Sequence, residues 1–520
     1  MGSRWAIGCV LAVFVYVWRA WPSLMTTVDD AWISARYAAN AAAGHGLVYN
    51  AGEPPIEGFT NLLWTLWLAL GVLTGLRLDQ WMVGSGLVLG GLTVVFGGLL
   101  ARALVDREHW WVPGIASLLI ALDSHHAVVS TNGLESAMFD AAVLGAAWAV
   151  LASGGSRPAW RWLAGLSVGL LGAIRPEGFV VGAALVALSA TPVLQRTRSV
   201  KESFLHDVLP VLVPYGALGI ALEIWRVTTY GAWVPNTFAA KAKGGWSTFI
   251  DSNLAYLSPD APFWIASAVL GALALMAGWR DVRRWVLAGA ALAVVAIAFR
   301  VELWMPGGRL LVPAFLLFAV LVASAATHRF GAVVAGLATL GALISPFTSL
   351  ETVVRRYDRA HSVVMWNGTA VAAIQLAKHA KPGSWLAIRD AGVLAHFVGT
   401  DVLVAELHNR ALTQLHPDGA DADTFAFTPV DPEIIVLTQA RVDTPTIRYG
   451  RDRAVLERTT VPYRYLGRVH QHYHRYYDIY VREDSGIPDL PPNVVENHSG
   501  PPAPRGARPR TPLLKAPIDR

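Results

Sequence analysis

The chain reads as an α-helical protein that spans a membrane many times and ends in a small α/β domain outside it. Three observations carry that reading. Of its 520 residues 54% are hydrophobic and only 15% are charged, with a mean hydropathy of +0.42. The apolar residues come in blocks close to the roughly 17–25 residues that a bilayer demands of a helix. From Glu351 onward charge rises, and short strand-like runs set off by Pro, Gly and Asp replace the blocks.

The blocks place candidate spans at 5–22, 61–76, 81–101, 111–128, 134–153, 161–174, 178–190, 207–224, 261–278, 285–300, 311–326 and 330–346. Arg4 to Trp21 has the length of a secretory signal, but no small-residue cleavage pattern follows it and further spans do, so it is read as a retained helix. The basic loops, Arg157–Arg161, Gln195–Lys201 and Arg280–Arg284, together with Arg4, are placed in the cytoplasm. Two full crossings between 61 and 101 would then leave Arg102 and Arg107 outside, so about eleven net crossings are favoured, with the N-terminus inside and everything after 346 outside. The net charge of +5 belongs to this orientation and argues against nucleic acid as a partner. Cys9, the single cysteine, excludes a disulfide framework or a Cys-based metal site within one chain.

This division gives a membrane part over 1–348, with a first outer loop at 23–60, an outer α/β domain over 349–483 and a tail over 484–520. The outer domain is expected from SWLAIRD, DVLVAEL, PEIIVLT and HRYYDIYVRE. The tail is rich in Pro and Arg without an apolar period, a composition expected to be disordered.

The first outer loop, TTVDDAWISARYAANAAAGHGLVYNAGEPPIEGFTN, holds two adjacent carboxylates, Asp29 and Asp30, at the head of a short amphipathic run. Carboxylates suit a helix N-terminus whatever else they do. Three-and-four spacing brings Asp29, Ile33, Arg36 and Asn40 near one face, with Trp32 and Tyr37 beside them. Further polar residues collect on the same outer side: Glu57, Glu135, Arg175, Glu177, Asn236, Lys241, Lys243, Glu302 and Arg309. Ionisable groups at a bilayer boundary are costly, so their gathering marks a site. Carboxylates opposite fixed cations suit a substrate with a lipid tail and a phosphate head. Arg175, stopped by Pro176, presents a planar fork of donors that fits a phosphate, although pairing with Glu177 explains it equally. Lys241 and Arg309 are further phosphate contacts, or else ordinary boundary cations. Trp32, Arg36, Tyr37, Asn40, Glu57, Glu135 and Asn236 would line the cavity. His470, His472 and His474 alternate in VHQHYHRYY and would share one face of a strand, but no carboxylate at a ligand spacing accompanies them.

Five stretches in order, DDAWISARYAANAAAGHGLVYNAGE with FTNLLWT, STNGLESAMF, IRPEGF, PNTFAAK and GGRLLVP, resemble those of membrane glycosyltransferases of the GT-C fold that use polyprenyl-phosphate sugars. The chain is most similar to the mycobacterial terminal β-arabinofuranosyltransferase family. The resemblance covers most of the membrane part. It implies a catalytic carboxylate at Asp29, with Asp30 beside it, a lipid-linked donor, and a glycan, lipid or protein acceptor outside the cytoplasm of a bacterial cell. The sugar is not fixed by it. Chemistry and resemblance meet in an inverting transfer with Asp29 as general base and Arg175, Lys241 and Arg309 on the leaving phosphate, with no cofactor required and a divalent cation compatible. A transporter or flippase of a lipid-linked saccharide is the rival from another class. It lacks the paired, interrupted spans such proteins show. A membrane scaffold binding cell-wall polymer is a third reading.

Overall fold

The computed structural model describes residues 4–24, 26–154, 157–194, 199–237, 250–258, 261–301, 303, 308–344, 362–364, 368–388, 391–406, 432–440, 461–472, 475–491 and 494. Each of the twelve candidate spans is helical. In chain order the helices are α1 (Arg4–Ala20), α2 (Asp29–Ala42), α3 (Leu62–Leu73), α4 (Leu78–Leu104), α5 (Val112–Leu122), α6 (Ser124–Ser130), α7 (Ser136–Ala152), α8 (Pro158–Ile174), α9 (Glu177–Ser189), α10 (Thr191–Leu194), α11 (Val200–Ser203), α12 (Leu209–Tyr230), α13 (Ile250–Leu257), α14 (Ala261–Ala277), α15 (Val282–Ala298), α16 (Val312–Ala325) and α17 (Arg329–Ile344).

Three helical stretches, Arg4–Ser23, Leu78–Leu104 and Val200–Tyr230, are long and apolar enough to cross a bilayer alone. Helix α3, at 12 residues, is about 18 Å long, short of a hydrocarbon core of about 30 Å. The span expected at 111–128 is not one rod, because α5 and α6 meet at 67°. Asp123 breaks it: its carboxylate accepts the His125 and His126 N–H groups, both at 3.1 Å, and so caps a second helix where the first would have continued. Phe14, Trp18, Val88, Ile220, Ile265 and Leu292 stand exposed on the helices, as lipid-facing positions would. Between the helices small residues allow close approach; Gly98 of α4 meets Ser117 of α5 and Cys9 of α1.

The four strand-like runs all become strands. With α18 (Gly368–Ala377), α19 (Val393–Phe397) and a fifth strand that the runs did not mark, β6 (Tyr463–His472), they build an α/β unit, β3 (Trp385–Ile388), β4 (Leu403–Glu406), β5 (Ile434–Ala440) and β7 (Arg475–Arg482), in the order β4-β3-β5-β7-β6. The first three strands run parallel, and β7 and β6 join antiparallel. Of the histidine run, His470 and His472 belong to β6, in register with Tyr476 and Arg475 of β7; His474 lies outside the described residues. Arg468 and Asp478 face each other across β6 and β7 and form a buried two-bonded pair, 2.7 and 2.8 Å.

This unit packs against the loop at 23–60. One sheet face, with Leu386, Ile388, Val404, Ile434 and Val436, shares a core with Tyr37, Tyr49 and Phe59 of the loop. Strand β1 (Thr26–Val28) pairs antiparallel with β2 (Ser362–Val364). The Asn50 carboxamide donates to the Val404 carbonyl and accepts its N–H, both at 2.9 Å, and so occupies the open edge of β4. Trp32 stacks on His396 and Phe397, with centroids 5.0 and 4.8 Å apart. Removal from water, with the Arg36 guanidinium nearby, pushes the His396 imidazole down to about 3.

Two outcomes follow for this unit. Asp478→Ala leaves a buried guanidinium unpaired and should cost about 3–5 kcal/mol, read as loss of protease resistance in the C-terminal unit, whereas replacing both Arg468 and Asp478 with Leu should restore most of it. His396 stays neutral when folded but takes a proton near pH 6.5 when unfolded. Stability of the unit should therefore fall as pH drops from about 6.5 toward 3, and His396→Phe should flatten that slope in thermal unfolding followed against pH.

Candidate active site

Helix α2 starts at Asp29, and Val28 before it supplies no side-chain cap, so both carboxylates sit in the first turn among unpaired amides. From there the helix divides into two working faces. On the first, Asp29 Oδ2 and Oδ1 accept the N–H groups of Gly392 and Val393, each at 3.0 Å. These amides open α19. Gly392 is needed there, because a Cβ would overlap the Asp29 main chain. Two turns on, Arg36 is buried and donates to the carbonyls of Ala395, Gly399 (2.9 Å) and Val402 (2.6 Å), and to the Tyr49 carbonyl at 2.9 Å. An acid thus meets the amide end of α19 and a base its carbonyl end, each in the sense that the helix dipole favours.

Arg36, Tyr37 and Asn40 were expected to line a cavity; the structure commits them to the protein itself. The Tyr37 hydroxyl donates to the Ile56 carbonyl and accepts the Gly58 N–H, at 2.8 and 2.9 Å. Asn40 Nδ2 donates to the carbonyls of Val48 and Tyr49. Each is buried, and each holds the loop's course. Glu57 is buried against Arg226 of α12 (2.6 Å), and its carbonyl accepts the Asn236 N–H at 3.0 Å. Lys241, Lys243 and Glu302 lie outside the described residues.

The second face carries Asp30 and, one turn or about 6 Å along the axis, Ser34. The Asp30 carboxylate has no hydrogen bond or ion pair among the described residues. Ser34 Oγ donates to Asn61 Oδ1 at 3.0 Å, and Asn61 Nδ2 donates to Glu135 Oε2 at 2.8 Å. Glu135 Oε1 faces two guanidiniums, Arg175 at 3.2 Å and Arg309 at 3.5 Å. Arg175 also holds Glu177 through two bonds, 2.9 and 3.3 Å. Both sequence readings of Arg175 thus meet: it pairs with Glu177, and it belongs to the cluster.

Local sequence explains how these groups arrive. Arg175 ends α8 in extended backbone, and Pro176 turns the chain so that Glu177 opens α9 beside it. In STNGLES, Gly133 has φ of 86°, a conformation suited to glycine. A Cβ there would lie 3.0 Å from that of Ala31. Its carbonyl accepts the Trp64 indole N–H at 3.1 Å, and the neighbouring Asn132 carbonyl accepts the Val28 N–H at 3.0 Å. That turn fixes Glu135 against the start of α2. Sequence reasoning missed Ser34 and Asn61, although Asn61 stood in the FTN stretch. It also missed Gly392 and Val393, which no local signal marks. Among the described residues no group of three or more His, Cys, Asp or Glu stands close enough to hold a metal ion.

No family model matches this chain. Over 265 residues it is 31% identical to the terminal β-(1→2)-arabinofuranosyltransferase of Mycobacterium tuberculosis, a match covering 47% of this chain and 39% of that protein. The chain therefore spans about two fifths of the length of the curated relative it matches. Two solved structures superimpose over nearly the whole chain. The archaeal oligosaccharyltransferase AglB of Archaeoglobus fulgidus, in complex with an inhibitory peptide and a dolichol-phosphate, aligns with a TM-score of 0.58 at 13% identity, covering 93% of this chain and 75% of that one. ArnT of Cupriavidus metallidurans bound to undecaprenyl phosphate aligns with a TM-score of 0.57 at 12% identity, covering 94% and 100%. The chain shares its overall fold with these two membrane proteins.

Proposed function

We propose that the chain is an inverting glycosyltransferase that moves a sugar from a polyprenyl-phosphate donor to an acceptor hydroxyl at the outer face of a bacterial cytoplasmic membrane. The observation that carries this reading is the carboxylate pair at the head of α2, on the same helix as Ser34, whose bond to Asn61 leads through Glu135 to two guanidiniums. An inverting displacement needs both parts. The Asp29 and Asp30 pair takes the acceptor proton as its oxygen attacks the anomeric carbon; the bond from that carbon to the phosphate oxygen breaks, and the electron pair leaves with the phosphate. Amides of Gly392 and Val393 fix the orientation of the Asp29 carboxylate. A phosphate leaving group is already a stable anion, so fixed positive charge serves it better than an acid. Arg309, Arg175 and Lys241 are the proposed sources.

The dolichol-phosphate and undecaprenyl phosphate bound in the two solved structures support the donor class, and the arabinofuranosyl relative makes arabinofuranose the first sugar to test. The reading places about eleven crossings in the bilayer, with the first loop and the C-terminal unit outside. Of the residues expected to line the site, Glu135 belongs to the cluster and Trp32 packs on His396 and Phe397, whereas Glu57 is held by Arg226 and by the Asn236 N–H.

Offered several prenyl-phosphate sugars, the purified protein should form one glycosidic product by mass spectrometry; movement of the lipid-sugar without a new bond would instead mark a transporter. Asp29→Asn and Asp30→Asn together should lower turnover by about 10²–10⁴-fold with the fold intact, and full activity in that variant would remove the pair from the mechanism. Activity should survive EDTA, whereas its loss and recovery with a divalent cation would place a metal at the pair.

A further inference from the structure

We infer that Glu135 stands in for the lipid phosphate on Arg309, and that the donor binds by displacing Glu135 from that guanidinium while Arg175 stays locked in place. The inference rests on the donor class proposed above and assigns unequal roles to cations that the sequence reading treated alike.

Arg175 is held on two sides by carboxylates, although its Nη1 makes no hydrogen bond among the described residues. Its guanidinium holds Glu177 through two bonds, meets Glu135 at 3.2 Å, lies over the Phe139 ring with 5.5 Å to its centroid, and is buried. Taking it away would deprive two largely buried carboxylates of their shared partner. Arg309 is different. Its one hydrogen-bonding or ion-pair partner among the described residues is Glu135, at 3.5 Å, the long end of such a contact. Its side chain keeps 16% of its exposure against 6% for Arg175. Most of its donors are therefore open to a multidentate oxyanion.

Glu135 can let go at little cost. Its other oxygen stays on Asn61, and Arg175 remains to balance its charge. Two carboxylates and two guanidiniums leave the resting cluster neutral, so Arg309 waits with its charge compensated. An arriving phosphate competes only for the weakest link in that set. The carboxylate thus keeps Arg309 oriented before the donor arrives and opposes the lipid phosphate that remains after transfer.

The test is binding of undecaprenyl phosphate to the purified full chain in nanodiscs, with thermal unfolding as the control for folding. Removing the competing charge by Glu135→Gln, which keeps the bond to Asn61, should tighten binding by about 3- to 10-fold, a change of the order that a partly exposed pair can supply. A structural role alone would weaken binding or leave it unchanged, and either result overturns the inference. Arg309→Ala should weaken binding about tenfold or more and should erase the gain when combined with Glu135→Gln; a gain that persists in the double variant would also overturn it. If Glu135→Gln tightens lipid-phosphate binding but wild type forms no glycosidic product, the proposed transfer fails while this inference stands. If product forms without the tightening, the reverse holds.

Discussion

Asp29 and Arg36 reach opposite ends of the same five-residue helix, and the placement of everything near the site depends on that arrangement. The two residues are seven apart on α2, so both project toward α19. A carboxylate there satisfies two amides that a short helix leaves open, and a guanidinium satisfies the carbonyls at its far end. Either interaction alone is a cap. Together they fix the rotation and the axial position of α2, and hence the direction in which Asp30 and Ser34 point.

The same constraint explains why the loop after α2 needs the C-terminal unit. Residues from 43 to 60 are turns and irregular backbone, and such a segment has little core of its own. Tyr37, Tyr49 and Phe59 bury themselves in the core of the sheet, and the Tyr49 hydroxyl donates to the Ala391 carbonyl at 2.6 Å. Arg36 is tolerated in this core because its donors meet backbone carbonyls. The loop is thus held by side chains and backbone that lie more than 340 positions away along the chain.

On the other face of α2 the logic is electrostatic. Glu135, Arg175, Glu177 and Arg309 come from three separate helix junctions, and none would be stable at that depth without the others. Asn61 joins this set to α2 through Ser34 and to α3 through Thr65. A carboxylate pair and a cationic cluster are thereby held in one frame, with one guanidinium more open than the other.

The sequence by itself determined where most helices lie and four of the five strands of the sheet. Apolar blocks marked the helical stretches, and β-branched runs between turn residues marked β3, β4, β5 and β7, because both signals are local and repeat along the chain. It also identified Asp29, Glu135, Arg175 and Arg309 as polar groups too costly to sit at a boundary without a purpose. Only the tertiary structure decided what each one touches. Arg36, Tyr37 and Asn40 share a helix with Asp29 and look alike as lining residues, yet packing buries them. The break at Asp123 and the amides of Gly392 and Val393 were equally hidden, because a partner's position is set by how distant segments pack, and no periodicity within either segment records it.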